Sequence, residues 1–150
     1  YMVTDKSSDE KVMQLAIREA DEASKKGVVP IGAVVVWNGR VIGRGNNLVE
    51  TFGDATAHAE MQAITAASES VGGKYLNQCT LCVTVEPCVM CAGASAWSQM
   101  GRIGYGAADP KRGYSFSGGR ILHPKTEVTS GILEDECSAL MKEFFKGLRA

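Results

Sequence analysis

Apolar and polar positions along the chain switch between helical and strand periodicity in a regular order. Val12, Met13, Ala16, Ile17, Ala20 and Ala23 recur at helical spacing and predict a first helix. Ser7-Ser8-Asp9-Glu10 reads as a capping box at its start, and Gly27 as its stop. Two β-branched runs then flank Asn38-Gly39, the signature of a hairpin closed by a type I′ turn. The stretch from Leu48 to Thr56 reads as loop, and His58 opens a helix that runs to about Ser70 before Gly72-Gly73. "CTLCVTV", from Cys79 to Val85, is a strand, and Pro87 opens a helix through "CVMCAGASAWSQM". "RIGYGA" is a further strand, residues Asp109 to Pro124 form a loop, and a short strand near Val128 leads into a last helix. That helix is expected to bury Leu133, Cys137, Leu140, Met141, Phe144 and Phe145. This order predicts an α/β fold, a three-layer α/β/α sandwich with helices on both faces of a central sheet.

The helix from Cys88 to Met100 contains no charged residue. A helix without a polar face is normally buried all round. One side can pack on the sheet. Its Ala, Gly and Ser residues suit the other side to a second subunit, so a homodimer is expected. The competing account has the C-terminal helix of the same chain cover that side.

Composition narrows the class. A chain of 150 residues, 45% hydrophobic and 22% charged, suits one soluble globular domain over residues 1–150; Tyr1, which precedes Met2, is left outside the fold reasoning. No apolar run approaches the roughly 18 residues of a membrane helix, and no signal-peptide pattern opens the chain, so a cytoplasmic protein without membrane contact is expected. A net charge of −1 and a pI near 6.2 count against bulk nucleic-acid binding. The charge is unevenly spread, however. Between residues 98 and 126, Arg102, Lys111, Arg112, Arg120 and Lys125 face one acid, Asp109. By charge alone this is a solvated loop; it could also meet phosphates. The odd number of cysteines, five, argues against a disulfide scaffold and for reduced thiols, some of them metal-bound.

The chemistry converges on His58, Glu60, Cys88 and Cys91. Thiols three apart at a helix start can point at one ion, as in zinc sites. His58 can join them because a helix of about twelve residues travels roughly 18 Å. A strand of about six residues then returns roughly 20 Å. His58 and Cys88 are therefore expected side by side at the carboxyl edge of the sheet, where ligands of open α/β folds collect. Three protein ligands leave a fourth position for water, as in catalytic zinc sites. The ion lowers the water's pKa toward about 7. Glu60 is then the carboxylate that moves protons from the water to a ring nitrogen and the departing amine. A rival arrangement, a structural ribbon on Cys79, Cys82, Cys88 and Cys91, conflicts with strand alternation, since residues three apart point to opposite faces. Its spacing is also too short. Cys79, Cys82 and Cys137 are expected to be packing residues.

His58-Ala59-Glu60 with Pro87-Cys88-x-x-Cys91 resembles the signature of the zinc-dependent cytidine-deaminase superfamily. Within it, "VPIGAVVV", "DATAHAEMQAI", "TLCVTVEPCVMCAGA", "GRIGYGAADPKRG" and "GILEDECSALMKEFF" are similar to bacterial tRNA-specific adenosine deaminases, from about Val12 to Leu148. The resemblance implies a mixed five-stranded sheet, one Zn²⁺ per subunit and a homodimer. It implies conversion of the wobble adenosine of a tRNA anticodon to inosine, with attack of a zinc-activated hydroxide on C6. Carried over, His58, Cys88 and Cys91 would hold zinc and Glu60 would shuttle protons. Asn47 would hydrogen-bond the flipped base, and the Glu86 backbone carbonyl would face the exocyclic amine. Val29 and Ala57 would line the base pocket. Asp109 would lie near the substrate backbone, and Lys111, Arg112, Phe144, Phe145 and Lys146 would approach RNA. The loop "YSFSGGRILHPKTEV" after Gly113 departs from the family form, and Cys82 replaces a commoner aromatic. The resemblance gives the basic segment a use, since a base must leave its stack to reach a recessed metal and phosphate contacts then position the loop. Two alternatives remain. A free-base or nucleoside deaminase would need a closed pocket, for which the ending "KEFFKGLRA" looks too short and too basic. A catalytically silent, zinc-stabilised binding protein is disfavoured by an intact Glu60.

Overall fold

The computed structural model describes residues 6–117 and 119–149. Its elements are α1 (Lys6–Lys25), β1 (Gly32–Trp37), β2 (Arg40–Asn46), α2 (Val49–Phe52), α3 (Ala59–Val71) and β3 (Thr80–Val85). They continue with α4 (Val89–Trp97), β4 (Arg102–Ala107), a 3-10 turn (Tyr114–Phe116), β5 (Glu127–Thr129) and α5 (Glu134–Arg149). The strands form one five-stranded sheet in the order β2-β1-β3-β4-β5. β1 is antiparallel to both neighbours, whereas β3, β4 and β5 run parallel. The sheet is therefore mixed, as the resemblance implied.

Strand alternation sorts the core into two layers. Ala33, Val35, Leu81, Val83, Ile103 and Tyr105 face α3 and α4 together with Ala63, Ile64 and Ala67. Val34 and Cys82 face α1 and α5, meeting Met13, Ala16, Ile132 and Cys137. The hairpin turn has positive φ at both Asn38 (52°) and Gly39 (77°), the type I′ conformation. α3 approaches β2 unusually closely. A Cβ on Gly43 or Gly45 would run into the backbone of α3 at Ala63 or Ala59, so these strand positions must be glycine. Alanine at 59, 63 and 67 repeats every helical turn along the contact. That is why the helix is so rich in alanine.

Several local expectations are corrected. Ser7 to Glu10 lie inside α1, whose described part begins at Lys6, so they do not form a capping box at its start. The Asp9 carboxylate instead accepts two hydrogen bonds from the Arg102 guanidinium, both 2.7 Å, and Arg102 also donates to Thr129 Oγ1 at 2.8 Å. Arg102 is thereby removed from the basic segment. α4 stops at Trp97 rather than Met100, because Gln99 takes the left-handed conformation (φ 54°). Met100 N–H then bonds Ser95 O and Gln99 N–H bonds Ala96 O, a Schellman closure without the usual glycine. A one-turn helix, α2, interrupts the stretch expected to be loop. Leu133 precedes α5 with φ 51°, and Phe145, expected to be buried, is 39% exposed.

α4 buries Cys91, Ala92 and Ser95 but leaves Trp97 86% exposed. α5 packs on the opposite face of the sheet, among the residues around Cys137, and so does not cover α4. No described helix is long and apolar enough to cross a membrane.

The Asp9–Arg102 pair ties α1 to the start of β4 and, through Thr129, to the end of β5. Breaking a buried pair leaves an uncompensated charge, so Arg102→Ala is expected to cost about 3–5 kcal/mol. Urea denaturation of the variant against the parent checks this; a loss below about 1 kcal/mol would refute it.

Candidate metal and active site

The site forms where two helices begin. His58 and Cys88 are the N-cap residues of α3 and α4, with extended backbone (φ −71°, ψ 158° and φ −73°, ψ 174°). N-cap side chains usually bond back to the helix; neither does here. Both turn instead toward the carboxyl end of β3. Cys91, in the first turn of α4, faces the same point. His58 Nδ1 lies 3.7 Å from Cys88 Sγ and 3.5 Å from Cys91 Sγ.

Those distances can be tested against a metal. Tetrahedral zinc at about 2.3 Å from sulfur and about 2.05 Å from nitrogen separates the two donors by about 3.6 Å. The observed spacings bracket that value. All three donor atoms lie within 4.8 Å of one another, and no other such group occurs among the described residues. Two sulfurs and one imidazole suit zinc chemically, and three protein donors are one short of a closed tetrahedral set. His58, Cys88 and Cys91 are thus placed to hold one Zn²⁺.

Hydrogen bonding from the Cys91 thiol pulls the Cys88 thiol down to about 5, and the same interaction, with burial, pushes Cys91 up. The helix N-termini favour the resulting thiolate. Glu60, in the first turn of α3, is 4% exposed. Burial raises its carboxyl to about 7, and the charge of Cys88 adds to the rise. Its own backbone N–H, His58 and the Cys91 thiol pull the other way.

Cys79, Cys82 and Cys137 are buried away from this group, as expected. Cys82 Sγ contacts Met13 Sδ at 3.9 Å on the α1 face of the sheet. Burial pushes the thiols of Cys82 and Cys137 up, so they stay protonated.

The other candidate residues fall into three places. Asn47 donates to Val29 O at 3.5 Å and accepts from Val49 N–H at 3.1 Å, so its amide is fixed just before α2. Ala57 is buried immediately before His58 and accepts from Leu48 N–H at 3.0 Å. Asp109 Oδ1 accepts from Lys111 and Arg112 N–H, both 3.0 Å, and closes the turn that exposes their side chains. Phe144 and Phe145 lie on α5, on the opposite face of the sheet, with rings edge to face at 5.3 Å. Glu86 carries a feature that sequence reasoning missed. Its buried carboxylate bonds Asp109 and Ser115 in the basic loop. Its only sequence signal was Gly113, where any Cβ would meet that carboxylate.

Comparison with known proteins agrees with this arrangement. Residues 6–107 match the family described as the cytidine and deoxycytidylate deaminase zinc-binding region. The tRNA-specific adenosine deaminase of Bacillus subtilis is 45% identical, over 95% of this chain and 92% of its own. A solved structure from a study of A-to-I editing by tRNA:A34 deaminases at the wobble position of transfer RNA is 41% identical, with TM-score 0.80, over 87% of this chain and 98% of its own. Guanine deaminase from Bacillus subtilis is 39% identical, with TM-score 0.64, over 66% of this chain and 64% of its own.

Cys88→Ala is expected to lose bound zinc and, with it, stability, because metal binding contributes folding free energy. At metal 100-fold above its Kd, the lost linkage is about 2.7 kcal/mol. Metal analysis and thermal unfolding check the two losses together; full zinc occupancy in the variant would remove Cys88 from the ligand set.

Proposed function

The chain belongs to the zinc-binding cytidine and deoxycytidylate deaminase family, and we propose that within it the protein deaminates adenosine to inosine at the wobble position of a tRNA anticodon. The observation that carries this reading is the convergence of His58, Cys88 and Cys91 beside the buried Glu60. Near-full-length kinship with tRNA-specific adenosine deaminases selects the substrate.

His58, Cys88 and Cys91 would hold zinc, which when bound would supply the Lewis acidity that hydrolysis by water needs. Glu60 moves the protons one at a time: its carboxylate accepts one from the water and passes it to the ring nitrogen, then takes the remaining proton from the hydroxyl added to the base and passes it to the leaving amine. Burial beside the Cys91 sulfur supports that role, since it holds the carboxyl close to the reacting atoms and away from bulk solvent. Asn47, held by Val29, orients the flipped base, with Val29 and Ala57 forming pocket wall. The Glu86 backbone carbonyl faces the exocyclic amine. Asp109, Lys111 and Arg112 meet the RNA backbone, and Phe144 and Phe145 lie along the RNA path. Arg102 is withdrawn, and Lys125 lies next to Thr126, which bonds Met100 O at the amino end of β4, so the exposed cations tied to the metal edge are Lys111 and Arg112. Local cations can position an anticodon loop without a basic pI.

The protein acts as a homodimer in the cytoplasm. The dimer reading is supported by α4, whose exposed Trp97 and Val89 flank the small residues Gly93 and Ala96. An apolar face of this kind on one chain marks an interaction surface.

Incubation with an adenosine-containing anticodon stem-loop is expected to yield inosine in the RNA. Ammonia released only from free guanine, cytosine or adenosine would overturn the tRNA reading. Glu60→Ala is expected to retain zinc and fold while turnover drops by about 10³-fold, the scale of a lost general acid–base. Near-parent turnover in that variant would exclude the proton-transfer role.

A further inference from the structure

We propose that the Glu86 side chain is a positioning residue, one that fixes the loop carrying Lys111 and Arg112 to the helix carrying Cys88 and Cys91. The inference rests on the RNA reading above for what the loop meets. Glu86 is 4% exposed, and a buried carboxylate is costly unless its oxygens are satisfied. Oε1 accepts from Asp109 N–H at 3.2 Å. Oε2 accepts from Ser115 N–H at 3.0 Å and from Ser115 Oγ–H at 2.6 Å. All three donors belong to the loop after β4, and they bracket Lys111 and Arg112 from both sides.

The backbone next to Glu86 completes the attachment. Tyr114 N–H donates to Pro87 O at 2.9 Å, and Gly113 forms an isolated bridge with Cys88. A Cβ at Gly113 would fall on the Glu86 carboxylate, so a larger residue there would displace that carboxylate from its bonds. Asp109 then closes the loop's turn through the N–H groups of Lys111 and Arg112. One carboxylate, two residues from a metal ligand, thus sets where two exposed cations stand relative to the metal. Phosphate contacts that only position the substrate act chiefly on binding, so errors in that placement should appear in KM.

Ser115→Ala and Glu86→Gln test the proposal on the full-length protein. Glutamine keeps the size but turns an amide donor toward N–H groups that need an acceptor. Ser115→Ala is expected to raise KM for the anticodon stem-loop about threefold with kcat retained. Glu86→Gln is expected to raise it about tenfold with zinc content retained, since tenfold corresponds to one lost charge-assisted bond of about 1.4 kcal/mol. In a Lys111→Ala, Arg112→Ala background neither change should raise KM further, because the effect passes through those cations. A KM rise that persists in that background overturns the proposal, as does loss of zinc or kcat with KM unchanged. Stem-loop affinity, read by fluorescence anisotropy in the same variants, separates the two claims. A parent that binds the stem-loop without forming inosine would sink the deaminase reading. The affinity pattern across variants would still decide the role of Glu86, and an unchanged affinity in both single variants would refute it.

Discussion

The close packing of α3 on β2 sets the position of everything at the active edge. Glycine at 43 and 45 and alanine at 59, 63 and 67 let helix and strand backbones approach within a distance that any larger side chain would forbid. That contact fixes the height of the first turn of α3 over the sheet, and so places His58 and Glu60. The parallel β3–α4–β4 unit independently brings Cys88 and Cys91 to the same edge. Two helix N-termini then meet with their positive ends together, and thiolate sulfur is the ligand such a field favours. The metal set is thus the meeting point of two separately determined pieces of architecture.

A second constraint joins this edge to the basic loop. Without the Glu86 carboxylate, the segment from Asp109 to Ser115 would keep few ties to the body of the protein. With it, metal ligands and exposed cations share one framework. Asp9 and Arg102 play a comparable part at the opposite end of the sheet, binding α1 to β4 and β5 through a buried pair. Each end of the parallel strands is therefore held by a buried carboxylate, one partnered by a cation and the other by loop N–H and O–H groups. In both, the need to satisfy a desolvated charge selects one arrangement of chain segments over alternatives.

Much of this was legible in the order of residues. Periodicity located the five strands and the major helices. The Asn38-Gly39 turn followed from local backbone preference, and the metal set from the lengths of the intervening helix and strand, which nearly cancel. These features are local or depend only on chain geometry, so no knowledge of partners was needed. Boundaries set by unusual residues were less visible: Gln99 and Leu133 adopt left-handed conformations with no glycine to announce them.

The roles of three charged residues could not be read this way. Asp9 looked like part of a helix cap and Arg102 like part of a phosphate-facing segment, yet each is consumed by the other across 93 positions of chain. Glu86 was expected to contribute only its backbone carbonyl; its side chain gained a role when folding brought Asp109 and Ser115 against it. Residue type and spacing identify which groups can bind metal or transfer a proton, because those capacities are intrinsic to the side chains. Which charges remain free to meet a substrate depends on what each one faces once buried, and only the packed structure supplies those neighbours.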